Sequence, residues 1–145
     1  MSAAKDTEGT LTAEEKAAMK ELAQERRARK KGAKAEDDLK AVLDKIAEMP
    51  DEERELCTRL HEVITGAAPG LAPRTWYGMP AYAKDGTVLC FMQNPTKFGV
   101  RYTTLGFQDV AALDDGPMWP TGFAIVRLTK TVEKDVAALV RRAVG

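Results

Sequence analysis

The chain has 145 residues, of which 44% are hydrophobic and 30% are charged. A chain of this length typically forms one domain with its own buried core. Its two cysteines, Cys57 and Cys90, are too few for a disulfide framework or a zinc ribbon. Apolar runs stay well short of the roughly 20 residues of a transmembrane helix, and residues 1–10 lack the apolar stretch of a secretory signal. We therefore expect a cytoplasmic protein with no membrane segment.

The formal net charge is zero, but the charges are unevenly distributed. Residues 1–34 carry nine basic and six acidic side chains, whereas residues 35–67 carry four and ten. All nine aromatic residues lie between Trp76 and Phe123. A charged segment without aromatic residues therefore precedes an aromatic-rich one, and we expect a charged N-terminal arm (1–34) followed by a folded domain (35–145).

The first half of the chain has the patterns of helices. Thr12 and Glu15 form the T-x-x-E capping box that opens a helix, which Gly32 is expected to end near Lys31. Apolar residues then recur at three- and four-residue spacing in two further segments that span residues 36–67. Residues 69–73, Pro-Gly-Leu-Ala-Pro, end the helical sequence.

The second half has the patterns of strands and closes with a helix. Asp85-Gly86 is a hairpin turn signal between two apolar runs. We read Leu105–Leu113 as a loop with one helical turn, and Thr131 as the cap of a final amphipathic helix. The predicted strands are Arg74–Tyr77, Ala81–Lys84, Val88–Met92, Phe98–Thr103 and Phe123–Leu128.

Segregated helices and strands are typical of the α+β class. The simplest packing is a two-layer sandwich in which helices at 36–67 and 132–144 cover one face of an antiparallel sheet. The charged N-terminal helix is extra to this sandwich. The other face of the sheet is expected to be solvated or used for binding.

One stretch of sequence resembles a known family. The run Trp76-Tyr77-Gly78-Met79-Pro80-Ala81-Tyr82, then Lys84-Asp85-Gly86, an apolar strand and Lys97-Phe98-Gly99 resemble the YdhG-like family of bacterial domains. The resemblance covers residues 36–144. It implies a frataxin-like fold, with two helices packed on an antiparallel sheet. It also raises iron binding, because some members carry an iron-chaperone label, but it supplies no catalytic motif.

Aromatic residues around this motif form the first candidate site. They are expected to line a concave apolar surface on which Arg101 orients an anionic ligand. The alternative is that the same residues form core and a structural corner, since Trp76 and Tyr77 point to opposite faces of a strand. The candidate ligand-binding residues are Trp76, Tyr77, Met79, Tyr82, Phe91, Arg101, Tyr102 and Trp119.

Acidic residues on the predicted helices form the second candidate site. Spacings of four residues place carboxylates on one helical face, where hard oxygen ligands suit weakly held iron. The alternative is a solvated surface, because Asp and Glu in a first turn also stabilise the helix dipole. The candidate metal ligands are Asp44, Glu48, Asp51, Glu52 and Glu55.

Sulfur and imidazole groups give a third possibility. Cys57 and His61 are four residues apart, and Cys90 on a strand is able to approach them. Such a set suits zinc, and a Cys–His pair suits a nucleophile. The alternative is two core cysteines and a surface histidine, since no further group is identifiable that would orient the imidazole.

The last candidate is a basic run, Arg26 to Lys34, that is able to contact phosphate or an acidic partner. It contains no aromatic residue for base stacking, so nucleic-acid binding is not indicated. An alternative is that the run pairs with the acidic segment 36–55 of the same chain.

No nucleotide-binding, metalloprotease or nucleophile-elbow motif is present. We therefore expect a binding domain without catalysis. Three hypotheses follow: an iron chaperone, a small-molecule site near residues 76–102, and a protein-interaction module that uses the N-terminal helix. The sequence does not identify a cofactor, a ligand or a partner.

Overall fold

A computed structural model describes residues 11–32 and 34–145. The helices in these ranges are α1 (Ala13–Lys30), α2 (Ala35–Ala47), α3 (Asp51–Ala67), the single turn α4 (Pro95–Phe98) and α5 (Lys130–Val144). The strands are β1 (Ala72–Trp76), β2 (Met79–Lys84), β3 (Thr87–Gln93), β4 (Thr103–Phe107) and β5 (Gly122–Ile125). They form one antiparallel sheet in the order β1-β2-β3-β4-β5. The α+β class is confirmed.

Three helices share one hydrophobic core with one face of the sheet. Residues paired directly across neighbouring strands point to the same face, as Tyr82, Cys90 and Phe107 do in β2, β3 and β4. These side chains belong to the same core cluster as residues from α2, α3 and α5, for example Leu60 and Val140, both fully buried. The expected layer of helices on one face of an antiparallel sheet is therefore present.

Helix α1 begins with the predicted capping box. The backbone N–H of Glu15 donates to Thr12 Oγ1 at 3.0 Å, and the N–H of Thr12 donates to Glu15 Oε1 at 2.9 Å. The helix ends at Lys30, and Gly32 follows with φ +79°. Its buried side chains are Ala18 and Leu22, so the described part of the predicted arm packs against the domain. Residues 1–10 of the arm lie outside the described residues.

Two tight turns connect the first three strands. The predicted turn at Asp85-Gly86 joins β2 to β3, and both residues have positive φ, at +50° and +81°. Tyr77 and Gly78 join β1 to β2 with φ of +54° and +74°. Positive φ at both central positions is typical of the type I′ turn that matches the twist of a hairpin.

The predicted strand Phe98–Thr103 is wrong. Pro95 fixes a helical φ at the first position of α4, and Gly99 ends that turn in the left-handed conformation at φ +66°. The strand begins only at Thr103, so the segment that we read as a loop from Leu105 starts as β4.

The ends of the last two elements also differ from expectation. The final strand is Gly122–Ile125 rather than Phe123–Leu128. Helix α5 begins earlier than predicted, because the hydroxyl of Thr129, not of Thr131, caps it by accepting from the N–H of Val132 at 3.1 Å.

Candidate functional site

The predicted aromatic pocket is divided among different parts of the fold. Tyr82 lies on the helix-covered face of the sheet and is fully buried. Trp119 is half-buried and packs against the same core. The remaining candidates separate into a cluster around Trp76 and a pair, Arg101 and Tyr102, beside α3. The eight residues therefore do not line one cavity.

Tyr82 makes a polar contact inside the core. Its hydroxyl lies 2.7 Å from Nδ1 of His61 on α3. Burial raises the pKa of Tyr82 well above its usual value, with smaller contributions from Cys90 and Cys57. Burial also lowers the pKa of His61, and the charge of neighbouring Glu62 partly offsets this lowering. The Nδ1 atom of the single histidine is thus held by a core tyrosine, and the half-buried ring borders a small cavity beside Leu43 and Thr58.

Cys57 and Cys90 are buried, free thiols. Burial raises the pKa of each to about 12, and Glu53 adds a smaller contribution at Cys57. The thiolate is the nucleophile and the metal ligand, so both cysteines are unreactive near neutral pH. The geometry favours the alternative in which these residues form core.

The cluster around Trp76 is closely packed. The Trp76 ring lies 5.4 Å from that of Phe91 and 4.8 Å from that of Tyr77, measured between centroids. Met79, two residues after Tyr77, is buried. Gly106 lies directly against the Phe91 ring, because a Cβ atom at Gly106 would overlap that ring. These rings pack on one another and on a backbone glycine, and Tyr77 lies in the turn after β1, so the expectation that Trp76 and Tyr77 point to opposite faces of one strand is wrong.

A groove of about 840 Å³ separates the N-terminal part of α3 from the ends of β4 and β5. One wall comes from residues 50–59 and the other from residues 101–103 and 125–128, with Pro95 between them. Its apolar side chains include Leu56, Tyr102, Ile125, Val126 and Leu128. The groove brings together two ligand candidates, Arg101 and Tyr102, and three metal candidates, Asp51, Glu52 and Glu55.

Several charged groups of the groove are already paired. Asp51 accepts from Arg54 at 2.8 Å, and Arg59 donates to Glu133 at 2.7 Å. The Glu53 carboxylate accepts from the Asn94 side chain at 2.9 Å. Burial raises the pKa of Glu53, but the hydrogen bonds from Thr96 and Asn94 together lower it by more. The net pKa of Glu53 therefore lies below its ordinary value.

Four charged groups of the groove form no ion pair within the described part of the chain. Glu52 and Glu55 lie on the α3 wall, and Arg101 and Arg127 lie on the opposite wall. The Arg101 guanidinium lies 5.4 Å from the Tyr102 ring centroid. The groove therefore presents free charges of both signs on facing walls.

The other candidate iron ligands lie apart from this groove. Asp44 accepts from Lys40 at 2.8 Å, and Glu48 lies 3.9 Å from Lys45. Residues 11–32 and 34–145 contain no group of three or more His, Cys, Asp or Glu side chains arranged to hold a metal ion. The five carboxylates are thus distributed over α2, its C-cap residue Glu48 and α3 rather than gathered in one centre.

The basic run makes one ion pair with the acidic segment. Arg29 lies 2.7 Å from Asp38 on α2, as one of the sequence alternatives proposed. Sequence reasoning missed the acidic contacts of α1, in which Glu21 and Glu25 bind Lys45, Lys97 and the turn at Tyr77-Gly78. The sequence signal for that turn was Gly78, because glycine readily adopts the positive φ that the turn requires.

No family model, curated protein or solved structure matches this chain. Across the described residues, the helices are too short or too polar to cross a membrane. The site is therefore interpreted from its own geometry.

Proposed function

We propose that this chain is a YdhG-like domain of frataxin-like fold that binds a small zwitterionic molecule without transforming it. The resemblance of the motif at residues 76–86 supports the family, and the antiparallel sheet with helices on one face is consistent with the fold. The cytoplasmic location stays a prediction from the sequence.

The groove between α3 and the ends of β4 and β5 carries this proposal. Its facing walls offer Arg101 and Arg127 to an anionic group and Glu52 and Glu55 to a cationic group. Ligand pockets typically combine an apolar lining with a few charged groups that fix orientation, and they measure roughly 300–1,000 Å³. An amino acid or a short peptide has the matching chemistry, because it carries an ammonium and a carboxylate group.

The absence of catalysis in this proposal has a chemical basis. Acid–base and nucleophilic catalysis need a group that titrates near neutral pH or an activated nucleophile. The single histidine, His61, is half-buried, lies outside the groove and is bound to Tyr82, and burial raises the pKa of the Cys57 and Cys90 thiols to about 12. These groups are therefore unsuited to turnover at the groove.

An NMR titration tests the proposal. Free amino acids and diglycine are added to the 15N-labelled full chain, and the backbone amides of Tyr102 and Val126 are followed. We expect at least one of these probes to give saturable shifts. Arg101→Ala should weaken the binding of that probe by roughly 10-fold or more, because a hydrogen bond to a charged group contributes about 1.5–3 kcal/mol.

Arg26→Ala is the matched control, because Arg26 is an exposed arginine on α1, outside the groove. It should leave the affinity unchanged. Absence of saturation with every probe, or equal affinities of the Arg101 variant and the wild type, would contradict the proposal.

The two other hypotheses from the sequence stay predictions. Iron binding has less support than the groove, because Asp44 and Glu48 pair with lysines and lie apart from Glu52 and Glu55. Adding ferrous iron to the same NMR sample tests it through the amides of α2 and α3. A partner that binds the basic run of α1 is tested by pull-down with Arg26 and Arg27 replaced by alanine.

A further inference from the structure

A cluster of hydrogen-bond donors surrounds the turn between β1 and β2. Lys45 on α2 and Lys97 on α4 both bind Glu21 of α1. The Lys45 Nζ atom lies 2.8 Å from Glu21 Oε1, and the Lys97 Nζ atom lies 2.9 Å from both oxygens of that carboxylate. Two ammonium groups from distant parts of the chain thus converge on one anionic group.

The turn itself supplies two more donors. The backbone N–H groups of Tyr77 and Gly78 both donate to the carboxylate of Glu25, each at 3.0 Å. Consecutive N–H groups that point to the same side of a turn form a concave site that is suited to anions. Positive φ at Tyr77 and Gly78 produces this arrangement.

Gly78 lets an anion approach the backbone closely. A Cβ atom at this position would overlap the carboxylate of Glu21. The second carboxylate, from Glu25, is bound to the N–H of the same residue. Both anionic groups therefore meet at Gly78, where any side chain would exclude one of them.

Space for a larger group exists beside these donors. A cavity of about 230 Å³ is bordered by Lys45, Gly78 and Lys97, together with Asn94 and Thr96. Glu48 is the acidic residue on its border, and it lies 3.9 Å from Lys45. Two basic side chains and one acidic side chain thus border this cavity, while Asn94 and Thr96 already donate to Glu53.

Helix α1 covers this site with few apolar contacts. Its buried apolar side chains are Ala18 and Leu22. Its capping box joins Thr12 to Glu15 and so makes no bond to the rest of the domain. The ion pair of Arg29 with Asp38 is partly exposed, and exposed pairs typically contribute about 0–1 kcal/mol. Apart from these contacts, α1 is held by the carboxylates of Glu21 and Glu25, so its attachment depends on the groups that occupy the site.

We propose that the Tyr77-Gly78 turn, Lys45 and Lys97 form a binding site for a small molecule with two anionic groups. Helix α1 closes this site by placing Glu21 and Glu25 where the ligand's two groups bind. The ligand and α1 compete, so ligand binding releases α1 from the domain. This site is separate from the groove beside Arg101, and it does not depend on the function proposed for that groove.

Competition predicts that removing the two carboxylates opens the site. Succinate serves as a probe with two carboxylates and acetate as a probe with one, at an ionic strength held constant with sodium chloride. Binding is followed by 15N NMR of the full chain through the amides of Tyr77 and Gly78. The variant with Glu21→Ala and Glu25→Ala should bind succinate at least about 10-fold more tightly than the wild type, because the two tethered carboxylates no longer compete for the same donors.

Two further variants separate an anion site from a simple structural anchor. Adding Lys97→Ala to the double variant should weaken succinate binding again by about 10-fold. Leu22→Ala keeps both carboxylates and all donors but loosens α1, so it should tighten succinate binding relative to the wild type. A purely structural anchor would destabilise α1 in these variants without any gain in succinate binding.

The proposal is overturned if Tyr77 and Gly78 show no saturable shift with succinate in both the double variant and Leu22→Ala. It is also overturned if acetate binds as tightly as succinate, because two anionic groups would then have no role. Arg101→Ala is expected to leave succinate binding unchanged. Failure at the groove and failure at this turn are therefore distinguishable.

Discussion

Helices α3 and α1 attach to the rest of the domain through different forces. Helix α3 places Cys57, Leu60 and Ile64 in the core, each with no exposed surface. Helix α1 buries Ala18 and Leu22 and is otherwise held by carboxylates that bind lysines and a turn. Apolar burial fixes α3 irrespective of charge, whereas the position of α1 depends on the ionisation of a few groups.

The two helices differ strongly in the free energy that apolar burial contributes to their attachment. Full burial of a large apolar side chain contributes about 1.5–3 kcal/mol; α3 buries Leu60 and Ile64 completely, whereas the large apolar side chain that α1 buries is Leu22. Segments with few buried contacts open locally at a small fraction of the global unfolding free energy. We therefore expect α1 to open while α3 and the sheet stay folded.

Leu60→Ala should have the largest effect on the stability of the domain. Leu60 is fully buried between α3 and the sheet, and truncation of a buried leucine typically costs about 2–5 kcal/mol. Equilibrium urea unfolding measures this loss. Leu22→Ala is the matched control on α1, and its effect on global unfolding should be clearly smaller. Equal losses in the two variants would show that α1 unfolds together with the core.

Tyr82→Phe should have an intermediate effect, again on the core side of the comparison. It removes the hydroxyl that lies 2.7 Å from His61 Nδ1. We expect a loss of about 1 kcal/mol, the typical net contribution of one hydrogen bond. Thermal unfolding of the variant and the wild type measures the difference, and unchanged stability would mean that the contact contributes nothing.

The burial of His61 predicts a pH dependence of stability. Burial lowers the pKa of His61 below its ordinary value of 6.5 in the folded state. The unfolded chain therefore binds the proton first, so stability is complete above pH 6.5 and is lost as the pH falls through the folded pKa. His61→Gln should flatten this part of the stability profile. A His61 NMR titration with a midpoint above 6.5 would contradict the prediction.

Local chemistry in the sequence predicted much of the fold. The capping box at Thr12 and Glu15 and the turn at Asp85-Gly86 both occur in the structure, because neighbouring residues alone determine them. The single turn α4 was missed, since apolar residues at 98–103 resemble a strand. There the fixed φ of Pro95 and the left-handed Gly99 determine the backbone instead.

The candidate sites could be predicted only as separate residues. Arg101, Glu52 and Glu55 were identified individually, but their meeting across one groove depends on how α3 packs beside β4. Similarly, Glu21 and Lys97 are 76 positions apart, and no periodicity links them. Periodicity reports which face of an element is apolar, but not which distant charges that face will meet.

The smallest effect should be the release of α1 at low pH. Burial raises the pKa of Glu21, but hydrogen bonds from Lys45 and then Lys97 lower it, and the net shift is below the ordinary value of 4.5. The stabilisation is therefore complete above pH 4.5 and is lost as the pH falls through the lowered pKa. Amide resonances of α1 should broaden or shift under these conditions while those of α3 stay native.

Glu21→Gln isolates this contribution from other carboxylates. The pKa of Glu53 is also lowered, through its contacts with Thr96 and Asn94, and this contribution is common to the variant and the wild type. The variant should show a more weakly attached α1 at pH 6 and a smaller change on acidification, because the glutamine side chain is neutral at both pH values. Identical pH profiles for α1 in the two proteins would mean that Glu21 does not hold it. The attachment of α1 by charge would then have to depend on Glu25 and Arg29.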